Sequence, residues 1–186
     1  MRRSIVWEWC ERPGIEHLLL TTDADGSRAE GVIVAEFDGS FRLRYAVSCD
    51  AGWRFREATL DLERAGGHHR RSVARDAGGR WTVDGAARPD LAPCTDIDIM
   101  GTPFTNTLPL RRLTLEPEEP VAISVAYIRI PEIDVTVVEQ DYTRRSGSDT
   151  PARFRYRNLP SGFTAELSVD PDGIVIDYGE IWRRRL

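Results

Sequence analysis

Residues 31–47 read GVIVAEF-DG-SFRLRYAV. Apolar residues alternate with others on both sides of Asp38-Gly39. A period of two marks a strand with one buried face. An Asp-Gly pair supplies the positive φ that a tight hairpin turn needs. Phe41, Leu43, Tyr45 and Val47 therefore share one face, and Arg42 and Arg44 share the other.

The same pattern spreads outward. Asp25-Gly26 follows HLLLT, Gly78-Gly79 parts RSVAR from RWTV, and Pro171-Asp172-Gly173 parts FTAELSV from IVIDY. In 153–157 Phe154 and Tyr156 oppose Arg153, Arg155 and Arg157, and Trp53 and Phe55 oppose Arg54 and Arg56. Asp96 and Asp98 oppose Ile97 and Ile99. As one strand, segment 121–138 would span about 60 Å, so Pro131 bends or divides it. No window of ten or more residues carries a convincing helical period. The chain reads as all-β, with about eleven to fourteen short strands and little helix. The expected architecture is an open or incomplete antiparallel β-barrel, or a strongly curved sheet. Stretches 42–62 and 152–170 echo each other, as a duplicated β-meander would. Residues 85–95 read as a surface crossover, 100–109 as a polar loop carrying Phe104 and Leu108, and 143–151 as a flexible tip.

Composition bounds the function. The 186 residues suit one domain, 1–186. A net charge of −5 disfavours bulk nucleic-acid binding. All 25 basic residues are Arg, which excludes Schiff-base chemistry on lysine and favours bidentate pairing with carboxylates or phosphates. Three cysteines without a CxxC motif indicate a reducing, cytoplasmic setting and no disulfide framework. The longest apolar-rich stretch, 121–138, contains Arg129, Pro131, Glu132 and Asp134, so no transmembrane segment is expected. No spaced Cys/His cluster suggests a metal, and no nucleotide or nucleophile-elbow motif suggests a cofactor or hydrolytic serine.

Two chemistries stay open on the residues. Asp96 and Asp98, about 6–7 Å apart on one strand face, could act as an acid-base pair on a sugar-containing or acyl substrate, with His17 as a further group. Alternatively, Arg and Asp beside aromatic rings suit a ligand with a hydroxyl-rich or anionic head and an apolar body. The binding candidates are Arg44, Arg56, Arg111, Asp96, Asp98 and Asn106 for the head, with Tyr45, Trp53, Thr105, Thr107 and Tyr156. Residues on opposite strand faces cannot all line one pocket. A protein-interaction module using a sheet edge or the Arg face is the third reading.

The segment DIDIMGTPFTNTLPLRRL (96–113) resembles the signature of a bacterial glycolipid-binding family. GIEHLLL (14–20), RLRYAVSCDAGWRFR (42–56), GRWTVDG (79–85), Gln140 with Tyr142, the Phe-Arg-Tyr segment 154–156, GFTAELSVD (162–170) and DGIVIDYGEIWRR (172–184) follow in order. Leu110 stands where the motif commonly has Ile, and Gly179 stands where Pro is usual. The resemblance implies an open antiparallel barrel similar in shape to bacterial carriers of lipoproteins or glycolipids. It also implies an amphipathic ligand such as a glycolipid or a lipid-linked sugar.

Overall fold

The computed structural model describes residues 1–185, with the side chains of residues 148 and 149 excepted. Fifteen strands are found among the described residues, slightly more than expected: β1 (Arg2–Trp9), β2 (Gly14–Thr22), β3 (Gly26–Glu36), β4 (Ser40–Asp50), β5 (Phe55–Arg64), β6 (Gly67–Arg75), β7 (Trp81–Val83), β8 (Ala86–Ala87), β9 (Asp96–Ile99), β10 (Pro120–Arg129), β11 (Asp134–Asp149), β12 (Ala152–Asn158), β13 (Thr164–Val169), β14 (Val175–Tyr178) and β15 (Trp182–Arg185). The one α-helix among them, α1, is Thr107–Arg112.

All fifteen form one sheet, ordered β8-β7-β6-β5-β4-β3-β2-β1-β15-β14-β13-β12-β11-β10-β9. Each strand pairs antiparallel with its chain neighbour, except that β9 lies parallel to β10. The two ends of the chain meet inside the sheet, where β1 pairs with β15. The free edges, β8 and β9, are consecutive in sequence, so the sheet curls into a barrel left open along one seam. Side chains bridge that seam. Trp81 Nε1 donates to the Cys94 carbonyl at 3.3 Å, Arg88 to the Val135 carbonyl at 2.9 Å, and Arg71 to the Ile133 carbonyl at 2.9 Å. Such bonds satisfy polar groups that an open edge leaves unpaired.

The predicted turns are present. Asp38 and Gly39 both take positive φ, 51° and 94°. Pro131 lies in the turn between β10 and β11. The two echoing stretches each fold as a hairpin, β4–β5 and β12–β13. Phe41, Leu43, Tyr45 and Val47 are buried, as are Phe154 and Tyr156. Gly31 lies opposite Tyr45, and a Cβ there would fall 2.2 Å from the phenol ring. Glycine is what lets that ring lie across β3.

Three expectations are corrected. Residues 100–109 are no exposed loop: Thr102 through Pro109 are all buried, in a short 3-10 turn leading into α1. Phe104 and Leu108 join the larger hydrophobic core, and Leu110, Leu113 and Leu115 pack on the smaller one. The segment is thus a plug inside the barrel. Residues 85–95 do cross over on the surface, at the seam, with Leu91 and Cys94 turned into the core. Residues 143–147, assigned to a flexible tip, continue β11, while the side chains of 148 and 149 lie outside the described residues. Trp53 is in the β4–β5 turn at φ 60° rather than on a strand with Phe55.

Candidate functional site

Antiparallel order sends the turns β1–β2, β3–β4, β12–β13 and β14–β15 to one end of the barrel. There they enclose a cavity of about 260 Å³. One wall is Trp9, Phe37 and Trp182. Trp9 pairs with Trp182 across β1–β15, with ring centres 4.8 Å apart, and Phe37 stacks on Trp9 at 6.3 Å. Gly14 allows Trp9 to lie flat, since a Cβ there would come within 2.9 Å of the Trp9 Cβ. The guanidinium of Arg12 lies 4.9 Å from both the Trp9 and Phe37 rings. The opposite wall is Tyr127, Tyr156, Tyr178 and Phe163. Tyr156 meets Tyr178 at 5.8 Å and Phe163 at 6.1 Å. Phe163 and Ile181 form the lip, and Phe163 is 39% exposed.

The floor is polar. Asp98 and Asn106 face the cavity, with Thr102 beside them. Asp98 accepts from Thr105 Oγ1 at 2.9 Å and from Gln140 Nε2 at 2.6 Å. Burial raises its carboxyl above the usual carboxylate range, and these donors partly oppose the rise. Burial also raises the phenols around it, Tyr127 to about 12, and the Asp98 charge adds to the effect on Tyr127, Tyr142, Tyr156 and Tyr178. Asn106 Oδ1 accepts from the Tyr142 hydroxyl at 2.9 Å.

Several buried polar atoms here lack a protein partner: Trp9 Nε1 and Arg12 Nε in the first wall, and Gln140 Oε1 beside Asp98. Buried donors and acceptors left unmade cost about 1–3 kcal/mol each.

The predicted site residues separate. Asp98, Asn106 and Tyr156 line the cavity, and Thr105 holds Asp98 from behind. Thr107 is buried, with its hydroxyl unpartnered. Tyr45 is buried in a different cluster, donating to Glu16, which also accepts from Thr102 at 2.8 Å. Asp96 is fully buried against Arg112 and Thr95, away from the cavity. Trp53 and Arg111 sit at the opposite end of the barrel, the guanidinium 4.4 Å from the indole. Arg56 pairs with Asp50 at 2.6 Å. Arg44 is exposed on the outer face, beside a hollow whose Arg70 and Arg71 are already paired with Asp61 and Asp84. His17 is exposed and bonded to Ser4 at 2.9 Å, so the acid-base trio of Asp96, Asp98 and His17 is not assembled. Asp61, Glu63 and His68 bring ligand atoms within 4.8 Å on the surface, but Arg70 and Arg42 already hold the two carboxylates.

The residues not anticipated are Trp9, Arg12, Phe37, Tyr127, Phe163, Tyr178, Trp182 and Glu16. Glu16 had a readable signal, because it shares a strand face with Leu18 and Leu20. The turn residues had none, since only closure of the barrel brings them together.

No helix among the described residues is long and apolar enough to cross a membrane. No curated protein matches the chain. Among solved structures it is similar to a DUF1089 family protein from Pseudomonas aeruginosa, with 35% identity, a TM-score of 0.80 and 92% of each chain covered. It also shares its fold with a β-barrel-like protein of the domain of unknown function DUF1849 from Brucella abortus, with 11% identity and a TM-score of 0.51 over 100% of this chain and 94% of that one. A family model matches residues 4–184, and the chain therefore belongs to the family described as "Putative glycolipid-binding".

Proposed function

We propose that this protein binds an amphipathic molecule by its head, with one saccharide-sized ring seated in the cavity and the apolar part lying over the Phe163–Ile181 lip. The observation that carries this reading is the pairing of aromatic walls with a polar floor of Asp98 and Asn106. Flat rings offer apolar faces to the C–H side of a sugar, and the amide and carboxyl take its hydroxyls. The volume sets the size. At about 30 Å³ per water, 260 Å³ holds roughly nine waters, or one pyranose ring. Acyl chains do not fit beside the plug, so a glycolipid would enter head first. The family description supports the same ligand class.

Trp9 and Trp182 flank the cavity, so tryptophan fluorescence reports on its occupancy. Titration with octyl β-D-glucoside below its micelle concentration should give a saturable change at one site per chain. A linear, non-saturating response, together with a clean apo mass for the gently purified protein, overturns the proposal.

A further inference from the structure

Among the described residues, buried acids outside the cavity and the Glu16 cluster are neutralised by arginine. Asp96 meets Arg112, Asp141 meets Arg157, and Asp170 meets both Arg3 and Arg184 at 2.7 Å. Asp98 is different. Its hydrogen-bond partners are a threonine hydroxyl and a glutamine amide, both neutral. The groups packed around it from β10, β11, β12 and β14 are phenols: Tyr127, Tyr142, Tyr156 and Tyr178. The other charged residues lining the cavity are Glu11 and Arg12, both from the β1–β2 turn. Arg12 is spread over Trp9 and Phe37, which shows that these walls accept a cation on their faces. A carboxylate without a basic partner, ringed by π faces and open to a cavity, lacks its counter-charge. A ligand ammonium would supply it, both as a charge-assisted donor and as a cation against the rings.

Resting on the saccharide reading above, we infer that the bound head group carries a protonated amine directed at Asp98: an amino sugar rather than a neutral one. A primary ammonium takes the place of one hydroxyl of that ring without enlarging it.

The test compares three probes of one shape at pH 6.5: octyl β-D-glucoside, its 2-amino-2-deoxy counterpart, and the N-acetylated form of the latter. The amine should bind at least about tenfold tighter than the neutral glucoside, from the combined charge-assisted and cation–π contributions. The N-acetyl form, which keeps the ring and loses the charge, should show no such gain. In Asp98→Asn the amine and the neutral glucoside should converge to within about twofold. Since one amide hydrogen of that variant faces existing donors, its fold is checked by circular dichroism, and Asp98→Ser gives the same comparison without the clash. Equal binding of amine and neutral glucoside by the parent protein overturns the amine assignment and leaves the saccharide site standing. So does an amine preference that survives in both variants. Absence of binding by all three probes overturns the saccharide site, and this inference with it.

Discussion

Glu16 is the most strongly perturbed acid for which the structure yields a working pH window. It is fully buried on β2, accepts from Tyr45 and Thr102, and leaves Oε2 without a partner. Burial dominates, and its carboxyl is raised from 4.5 to about 8. In the unfolded chain the group ionises near 4.5; in the folded protein it stays neutral until about 8. Below 4.5 both states hold the proton and the group has no pH-dependent effect. Between these values the unfolded state releases its proton and the folded state does not. Stability therefore falls as pH rises, by about 1.4 kcal/mol per pH unit, and levels off above about pH 8. Over the whole window the loss is of order 5 kcal/mol, a large share of the stability of a typical domain. The surface carboxylates whose pKa is lowered, such as Asp50, Asp61 and Asp84, act at the other end, losing their contribution as pH falls through their range. Glu16→Gln removes the titration and keeps an acceptor for both hydroxyls. Urea unfolding of the two proteins at pH 5, 6, 7, 8 and 9 should give nearly equal stabilities at pH 5. The variant's advantage should then grow to several kcal/mol by pH 8. Parallel pH profiles for parent and variant would refute the reasoning, because the buried carboxyl would then not be the group that titrates.

Three further outcomes follow from the packing. Gly31→Ala forces a methyl into the Tyr45 ring, which is fixed by Glu16 and cannot swing aside, so urea unfolding should show a loss of about 3 kcal/mol; a loss below about 1 kcal/mol would mean that β3 yields instead. Arg111→Ala removes the cation over Trp53 and a bond to the Asp172 carbonyl at the end away from the cavity, so it should cost about 1 kcal/mol of stability and leave octyl glucoside binding unchanged. In a series of alkyl glucosides, affinity should rise by about 0.8 kcal/mol per methylene only until the Phe163–Ile181 lip is covered, and then flatten. Calorimetry that shows a continued rise beyond eight carbons would place the chain inside the barrel.

Local chemistry made the sheet legible. Asp38-Gly39 fixes its turn through φ values that two adjacent residues can supply, and the alternation in 41–47 follows from one buried face. The plug was not legible for an equally physical reason. Its polar composition resembles a loop, yet its polar groups are satisfied inside: Thr102 on Glu16, Thr105 on Asp98, Asn106 against Tyr142. Burial of such groups depends on partners as far as 86 residues away along the chain, which composition does not encode. The same-face spacing of Asp96 and Asp98 is present, but both faces of β9 are covered. One acid therefore met an arginine while the other opened on the cavity.

The plug also decides how a lipid could be held. Expelling residues 102–109 would expose Phe104 and Leu108, at about 1.5–3 kcal/mol each. It would also break the three polar links just named, at about 1 kcal/mol each. The total is about 6–9 kcal/mol. A chain entering the vacated space would regain about 0.8 kcal/mol per methylene, so roughly eight to eleven methylenes would be needed merely to break even. Short-chain glycosides cannot open the barrel on those terms, and they test the head-group cavity alone. Only a long-chain lipid reaches the balance point, and it would do so by trading a packed helix for a mobile chain. Head-first binding at the aromatic mouth requires no such exchange, because the aromatic walls and the Asp98 floor are already in place.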